Sequence, residues 1–281
     1  MNKNTSTEKI ALLDPISRDV VGQVSVDMCK EDSQIVIHEV EPKNPGCPVS
    51  LLSTAFRMII NELFTQQYKS AGAWPSSADE RTSAILKGAG FRRTGLFMRR
   101  SAFNEDGHIE FHPPCASNLD DFLNAHARKI AEQTAAHSFH DPGRVYAHVR
   151  QEYQERFSDG PCSDDEAILT VDDVETHETV GLVWTSFRQE GPDRAAFVEE
   201  IEIFESKRGK KYGTRAIRAL GNSSFGRIID VVSLFVQPEN VPAYALYRKL
   251  EFKPGRLEFV CHASSTQQSR PADGEDAAAD A

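Results

Sequence analysis

Basic charge is in short supply. Lys and Arg number 32 against 42 Asp and Glu, giving a formal net charge of −10 over 281 residues. A protein that binds duplex nucleic acid needs a basic footprint to displace counterions, and none is present, so nucleic acid is not an expected partner. Long hydrophobic runs are missing too. No window approaches the ~18 apolar residues of a membrane span. The opening MNKNTSTEKI lacks the apolar core of a secretion signal, so neither membrane nor export is expected. Cysteine is sparse: Cys29, Cys47, Cys115, Cys162 and Cys261 are scattered, odd in number and never in a C-x-x-C pair. That excludes a disulfide scaffold and points to free thiols in a reducing cytoplasm. There is no Walker loop, no G-x-S-x-G and no H-E-x-x-H. His108/His112 and His137/His140 have ligand spacing only, so no metal is expected.

What is present is an ordinary globular composition, 40% apolar and 26% charged, with length for one large or two modest domains. Two halves tell a similar story in the same order. In the first, Lys9–Leu13, Val20–Met28 and Gln34–Val40 alternate like strands. The spacing then predicts helices over Leu51–Phe64 and Glu80–Ala89, and a strand from Phe91. The second half adds two opening helices, Asn118–Gln133 and Arg144–Phe157. Strands follow at Ala167–Val174, Val180–Phe187 and Ala196–Phe204, then a helix at Thr214–Leu220. A strand at Val231–Val236, a helix at Val241–Leu250 and a strand at Phe252–Cys261 complete it. The seam is His112-Pro113-Pro114-Cys115-Ala116-Ser117, where paired prolines force extended backbone. The expected division is therefore 1–115, 116–265 and a tail, 266–281. That tail has too few large apolar residues to offset its ordering entropy.

The stretch with chemical content runs from Phe197 to Phe252. A strand, FVEEIEIF, leads into Arg208-Gly209-Lys210-Lys211-Tyr212-Gly213 and a helix opening at Thr214. A loop between strand and helix turns N–H groups inward, and the helix start adds positive dipole, which suits a pyrophosphate; a solvated basic turn is the plainer reading. After the next strand comes Asn240-x-x-Ala243-x-x-Leu246-Tyr247-x-Lys249, followed by Phe252. In order and spacing these two segments resemble the GNAT superfamily of acyl-CoA-dependent N-acetyltransferases, over roughly Asn118 to His262. The family carries R/Q-x-x-G-x-G/A after its fourth strand and N-x-x-A-x-x-L-Y-x-K-x-G-F after its fifth. Two positions depart: Lys211 stands for the inner Gly of the first motif, and Glu251 for the Gly before Phe252.

The resemblance implies an α/β (α+β) fold of two lobes, each a mixed, mostly antiparallel central sheet flanked by helices. It implies direct acetyl transfer from acetyl-CoA to an amine, without a metal. An alkylammonium, with a pKa of about 10.4, must lose a proton before it can attack. Carboxylates on the fourth strand are the candidate bases: alternation puts Glu200 and Glu202 on one face, Ile201 and Ile203 on the other. Glu199 joins them only if the strand carries the family's bulge. Tyr247 is the candidate general acid. Candidate acyl-CoA contacts are the loop residues Arg208, Gly209, Lys210, Lys211, Tyr212, Gly213 and Thr214, with Asn240 and Ala243. The main chain of Ile201, Ile203 and Phe204 is to bond the pantetheine arm by strand addition.

The first half resembles the same fold with its chemistry lost. Leu86-Lys87-Gly88-Ala89-Gly90-Phe91 is similar to the end of the second motif, but Asp79 falls where Asn is expected and no Tyr follows. Pro45 and Pro48 remove N–H donors from its strand-to-helix loop. The acidity falls mostly after Cys115, which favours a small cationic amine as acceptor. A protein or peptide acceptor, or an inactive CoA-binding scaffold, are the alternatives. An internal pseudo-dimer makes a monomer sufficient, and a homodimer stays open.

Overall fold

The protein is described by a computed structural model covering residues 7–30, 33–66, 68–103, 105, 107–137, 141–220 and 228–263. In chain order the elements are β1 (Thr7–Leu13), β2 (Val20–Cys29), β3 (Gln34–Pro42), α1 (Val49–Gln66), β4 (Ser70–Ala73), α2 (Glu80–Gly88), β5 (Arg92–Ser101) and β6 (Ile109–His112). Then follow α3 (Ala116–His137), α4 (Pro142–Arg156), β7 (Glu166–Asp173), β8 (Thr179–Glu190), β9 (Asp193–Ile203), α5 (Tyr212–Ala219), β10 (Val231–Val236), α6 (Val241–Lys249) and β11 (Lys253–His262). The expected tail, 266–281, and His140 lie outside the described residues.

The chain forms two compact units. One comprises the described residues up to Leu96 together with those from Gly255 on; the other is Phe97–Pro254. The first unit orders its strands β1-β2-β3-β4-β11, with β3 parallel to β4 and β1/β2, β2/β3 and β4/β11 antiparallel. Alternation aims Leu12, Val24, Val26, Ile35 and Ile37 at one face. There they pack with Leu52, Phe56 and Ile60 of α1 and Ile85 and Leu86 of α2. The opposite face is polar, with Lys9 opposite Ser25 and Gln23 opposite Glu41. β11 belongs to this unit because it pairs with β4 and places Phe259, fully buried, in the same core.

The second unit orders its strands β5-β10-β9-β8-β7-β6. Its antiparallel ladder β6-β7-β8-β9 is followed by β10, parallel to β9. One face carries Ile168, Leu182 and Trp184 under Phe122, Leu123 and Ala127 of α3 and Val149, Tyr153 and Phe157 of α4. The part of β5 in this unit brings Phe97 against Phe235 and Phe197, at ring separations of 5.0 and 6.3 Å.

The units therefore divide the chain differently from the proline seam. A cut after Cys115 takes β5 and β6 from the second unit and β11 from the first. β4 (SAGA) and β6 (IEFH) escape sequence reading, being four residues each and, for β4, without a β-branched residue.

Fragments 1–115 and 116–281 expressed separately are expected to lack cooperative thermal unfolding, because fragment 1–115 loses the strand that buries Phe259. Removing such a side chain costs about 3–5 kcal/mol. Circular dichroism melts check this; a sharp transition for 1–115 alone contradicts it.

Candidate functional site

The site begins where two strands part. β9 and β10 pair in parallel from Val231↔Ala195 to Val232, Ser233 and finally Leu234↔Val198, and no further. At that point β9 bulges. Trp184 of β8 faces Glu200 and Thr185 faces Val198, so Glu199 is skipped. Beyond the bulge the β9 edge has lost its partner. The Phe204 N–H bonds the Val180 carbonyl at 3.0 Å on the β8 side. Main-chain groups alternate sides along a strand, so those of Ile201 and Ile203 face the side β10 has left. Arg208 Nε bonds the Ile203 carbonyl at 3.1 Å. Among the described residues, alternation leaves the N–H and C=O of Ile201 and the N–H of Ile203 on this open side.

A cleft of about 390 Å³ opens there. β9 contributes Glu199, Glu200, Ile201 and Ile203, α5 contributes Gly213, and Asn240, Ala243 and Tyr247 come from the start and body of α6. β10 adds Phe235 and Val236, and α3 forms a further wall through His126, Lys129, Ile130 and Gln133. Helical spacing puts these four on one face of α3.

Three α3 and α4 side chains define the electrostatics. Lys129 Nζ pairs with Glu200 Oε2 at 2.5 Å, and His126 Nε2 lies 3.6 Å from the same oxygen. His126 Nδ1 meets the Tyr153 hydroxyl at 2.7 Å. Burial first, and the Lys129 charge second, push the imidazole down to about 4, so His126 is neutral at pH 7. Burial pushes Tyr153 up to about 12, so it keeps its proton. Its O–H therefore donates to Nδ1, which leaves the imidazole proton on Nε2, toward Glu200. Glu199 is tied separately, accepting from Ser186 Oγ at 2.7 Å and Arg188 Nη2 at 3.3 Å. Tyr247 is 8% exposed. Burial first and the Glu200 charge second raise its phenol to about 12.

The loop before α5 holds two left-handed residues, Gly209 at φ 79° and Lys211 at φ 65°, with Lys211 as N-cap. α5 is clamped from behind. Burial works to raise the Asp173 carboxyl, but the Thr176 and Glu175 N–H groups, Arg215 and Tyr212 outweigh it and hold it at about 2. Arg215 Nη1 reaches Asp173 at 2.7 Å and its other nitrogens bond the Gly107 and His108 carbonyls.

The expected residues sort clearly. Glu200, Ile201, Ile203, Gly213, Asn240, Ala243 and Tyr247 line one cleft. Glu202 shares Glu200's face, beside Leu182, but does not line the cleft. Ile201 and Ile203, on the face opposite Glu200 by alternation, also line the cleft, because the opening lies along the strand edge and not over one face. Phe204 is corrected: its N–H goes to Val180, its C=O accepts from Lys207 N–H at 2.8 Å, and its ring packs under α3 and α4. Arg208, Gly209, Lys210 and Lys211 form an exposed loop, whereas Tyr212 is buried and bonded to Asp173. Thr214 is half-buried in the first turn of α5. Asn240 caps α6, its Oδ1 accepting from Ala243 N–H at 3.2 Å. Sequence reading missed His126, Lys129 and Gln133. The available signal was their spacing with Ile130 along the otherwise apolar stripe of α3.

Residues 131–252 match the acetyltransferase (GNAT) family. This segment is similar to that family. Over 76 residues the chain is 32% identical to YycN, an uncharacterized N-acetyltransferase of Bacillus subtilis (strain 168), covering 27% of this chain and 49% of that protein. It thus spans about half the length of that curated relative. Among solved structures, a functionally unknown conserved protein of Staphylococcus epidermidis shares the fold: 13% identity, 88% of this chain, 93% of that one, TM-score 0.51. A tandem GNAT protein from the clavulanic acid biosynthesis pathway matches at 13% identity, covering 96% and 85% of the two chains, with a TM-score of 0.43. Within the matched segment, the β9 edge at the parting, Gly213 of the first motif and Asn240, Ala243 and Tyr247 of the second line one cleft.

Both departures from the GNAT motifs sit where glycine is favoured: Lys211 at φ 65° and Glu251 at φ 63°. Left-handed backbone costs a residue with a Cβ about 1–2 kcal/mol. Lys211→Gly and Glu251→Gly are each expected to stabilise the protein by about 0.5–1 kcal/mol after glycine's own entropy cost. Urea denaturation checks this; a drop in midpoint for both variants contradicts it.

Proposed function

We propose that the second unit is an acyl-CoA-dependent N-acetyltransferase acting on a primary amine of a small molecule. The observation that carries this reading is the shared cleft at the parted strands, with Glu200 on one wall and Tyr247 on another. The site fits acyl-CoA in two respects. The Ile201 main chain is open for strand-like bonding to a pantetheine amide. The unpaired N–H groups of the first turn of α5 and the exposed Lys210 and Lys211 suit a pyrophosphate. Lys207, by contrast, is held by Glu178 at 2.7 Å and serves the loop's shape.

Acetyl-CoA supplies the acyl group and a thiol leaving group. Glu200 takes a proton from the acceptor ammonium and so exposes the nitrogen lone pair. His126 and Lys129 hold the Glu200 carboxylate by one oxygen. Tyr247 donates its proton to the departing sulfur. A phenol near 12 is a reluctant acid toward a thiolate whose ordinary pKa is about 8.5. Part of that reluctance is the Glu200 charge, which disappears once Glu200 has been protonated. The two groups are coupled in the order that the reaction needs.

The first unit is proposed to be non-catalytic. Arg81 of α2 donates to the Pro45 and Cys47 carbonyls, so its strand-to-helix loop presents acceptors to a cation where an acyl-CoA loop presents donors. Asp79 is spent as the N-cap of α2, accepting from Thr82 N–H at 2.9 Å. All five cysteines are free thiols, which fits a reducing, cytoplasmic setting.

Acetyl-CoA turnover followed by thiol release, over a panel of small amines, tests the proposal. Tyr247→Phe is expected to lower kcat by about 10²-fold, with KM for acetyl-CoA nearly unchanged. The phenol keeps its proton until about pH 12, so the wild-type rate should not fall on the alkaline side up to pH 10. Equal turnover by wild type and Tyr247→Phe overturns the assignment of the acid.

A further inference from the structure

The overall acidity of the second half favours a cationic acceptor, but the charges of the cleft itself are matched one for one. Glu199 has Arg188, Glu200 has Lys129, and His126 is neutral. A plain ammonium arriving at Glu200 would leave two cations competing for one carboxylate. After proton transfer to Glu200, Lys129 would face no anion at all.

We infer that Lys129 is a specificity-determining residue and that the acceptor is a zwitterionic amine, carrying a carboxylate close to its reacting nitrogen. This rests on the transferase reading of the cleft. Lys129 is half exposed, 49% at its side chain, whereas Glu200 is 21% exposed. An ion pair with one exposed, flexible partner is worth little and exchanges readily. A zwitterion replaces it without loss of pairing: its ammonium takes the Glu200 oxygen, and its carboxylate takes the Lys129 ammonium. The charge count is then the same before and after binding. It also survives the chemistry. The C–N bond forms as the C–S bond breaks. Of the two protons the ammonium loses, one goes to Glu200 and one reaches the thiol by way of Tyr247. The product carboxylate stays on Lys129 throughout. His126, fixed by Tyr153, keeps Glu200 from following Lys129 when the lysine swings away.

The test uses matched acceptors on the full chain: amino acids, their carboxamides, and the amines that lack the carboxyl group, diamines included. The carboxylate-bearing member is expected to win by about tenfold or more in kcat/KM, mainly through KM. Lys129→Gln should erase that preference, and Lys129→Glu should turn it toward diamines. Diamines or plain amines reacting as well as amino acids in the wild type overturn the inference, as does a preference that survives Lys129→Gln. Calorimetric binding of the same acceptors to the CoA-loaded protein separates the two levels. Carboxylate-dependent binding that Lys129→Gln abolishes, without any acetylation, upholds Lys129 and sinks the transferase reading. Binding indifferent to the carboxylate, or no acceptor binding, sinks the Lys129 assignment.

Discussion

The parting of β9 from β10 after the Val198↔Leu234 pair is the constraint on which the rest depends. Had the two strands stayed paired, the Ile201 and Ile203 main chain would be spent on sheet hydrogen bonds and no cleft would open. The bulge at Glu199 ends the pairing by inserting a residue that β8 does not match. The same bulge resets the strand so that Glu200, beside Trp184, faces α3. There His126 and Lys129 meet one of its oxygens. The clamp of Asp173 on Arg215 and Tyr212 then fixes α5 and the loop before it, at the mouth of the same opening.

The first unit repeats this strand arrangement with different residues at the matching places. β2 and β3 shift register between Ser25 and Val26 and skip His38, just as β8 and β9 skip Glu199. Gly22 and Gly181 occupy matching places. A Cβ at Gly22 would meet the Glu41 carbonyl oxygen at 2.6 Å, and one at Gly181 the Glu202 oxygen at 2.1 Å. Aligned on these glycines, His38 corresponds to Glu199, Glu39 to Glu200 and Glu41 to Glu202. Gln23 and Ser25 correspond to Leu182 and Trp184. In the second unit Leu182 and Trp184 are the floor on which α3 and α4 pack. In the first unit that floor is polar, and no helices precede β1 among the described residues to cover it. Without an equivalent of α3 there is no His126 or Lys129 to hold a carboxylate, and Arg81 fills the loop.

Most of the fold was legible because the long elements carry clean periodicity, as in QIVIHEV for β3 and LLSTAFRMIINELF for α1. The membership of strands was not. Hydrophobic alternation in β11 shows that Phe259 is buried but not in which core, since pairing between distant segments leaves no local mark. The motif segments located Tyr247, Asn240 and the loop. The strand edge was legible through the resemblance, which put the Ile201 and Ile203 main chain there; Phe204 was included in error because the sequence does not show which way its N–H points, and it bonds Val180. Lys129 was missed because a lysine on a helix reads as solvated until the opposing Glu200 is known. Lys211 and Glu251 were legible as departures; only the backbone shows that both occupy positive φ.

The central claim is that one unit of this chain, and only one, is built to take acyl-CoA. Calorimetric titration of the full chain with acetyl-CoA tests it most directly, since stoichiometry and affinity come from one experiment. The structure predicts one site per chain, lost or weakened when the β9 edge is blocked by Ile201→Pro, with the first unit contributing nothing. Two sites per chain, or no binding at all, would contradict it.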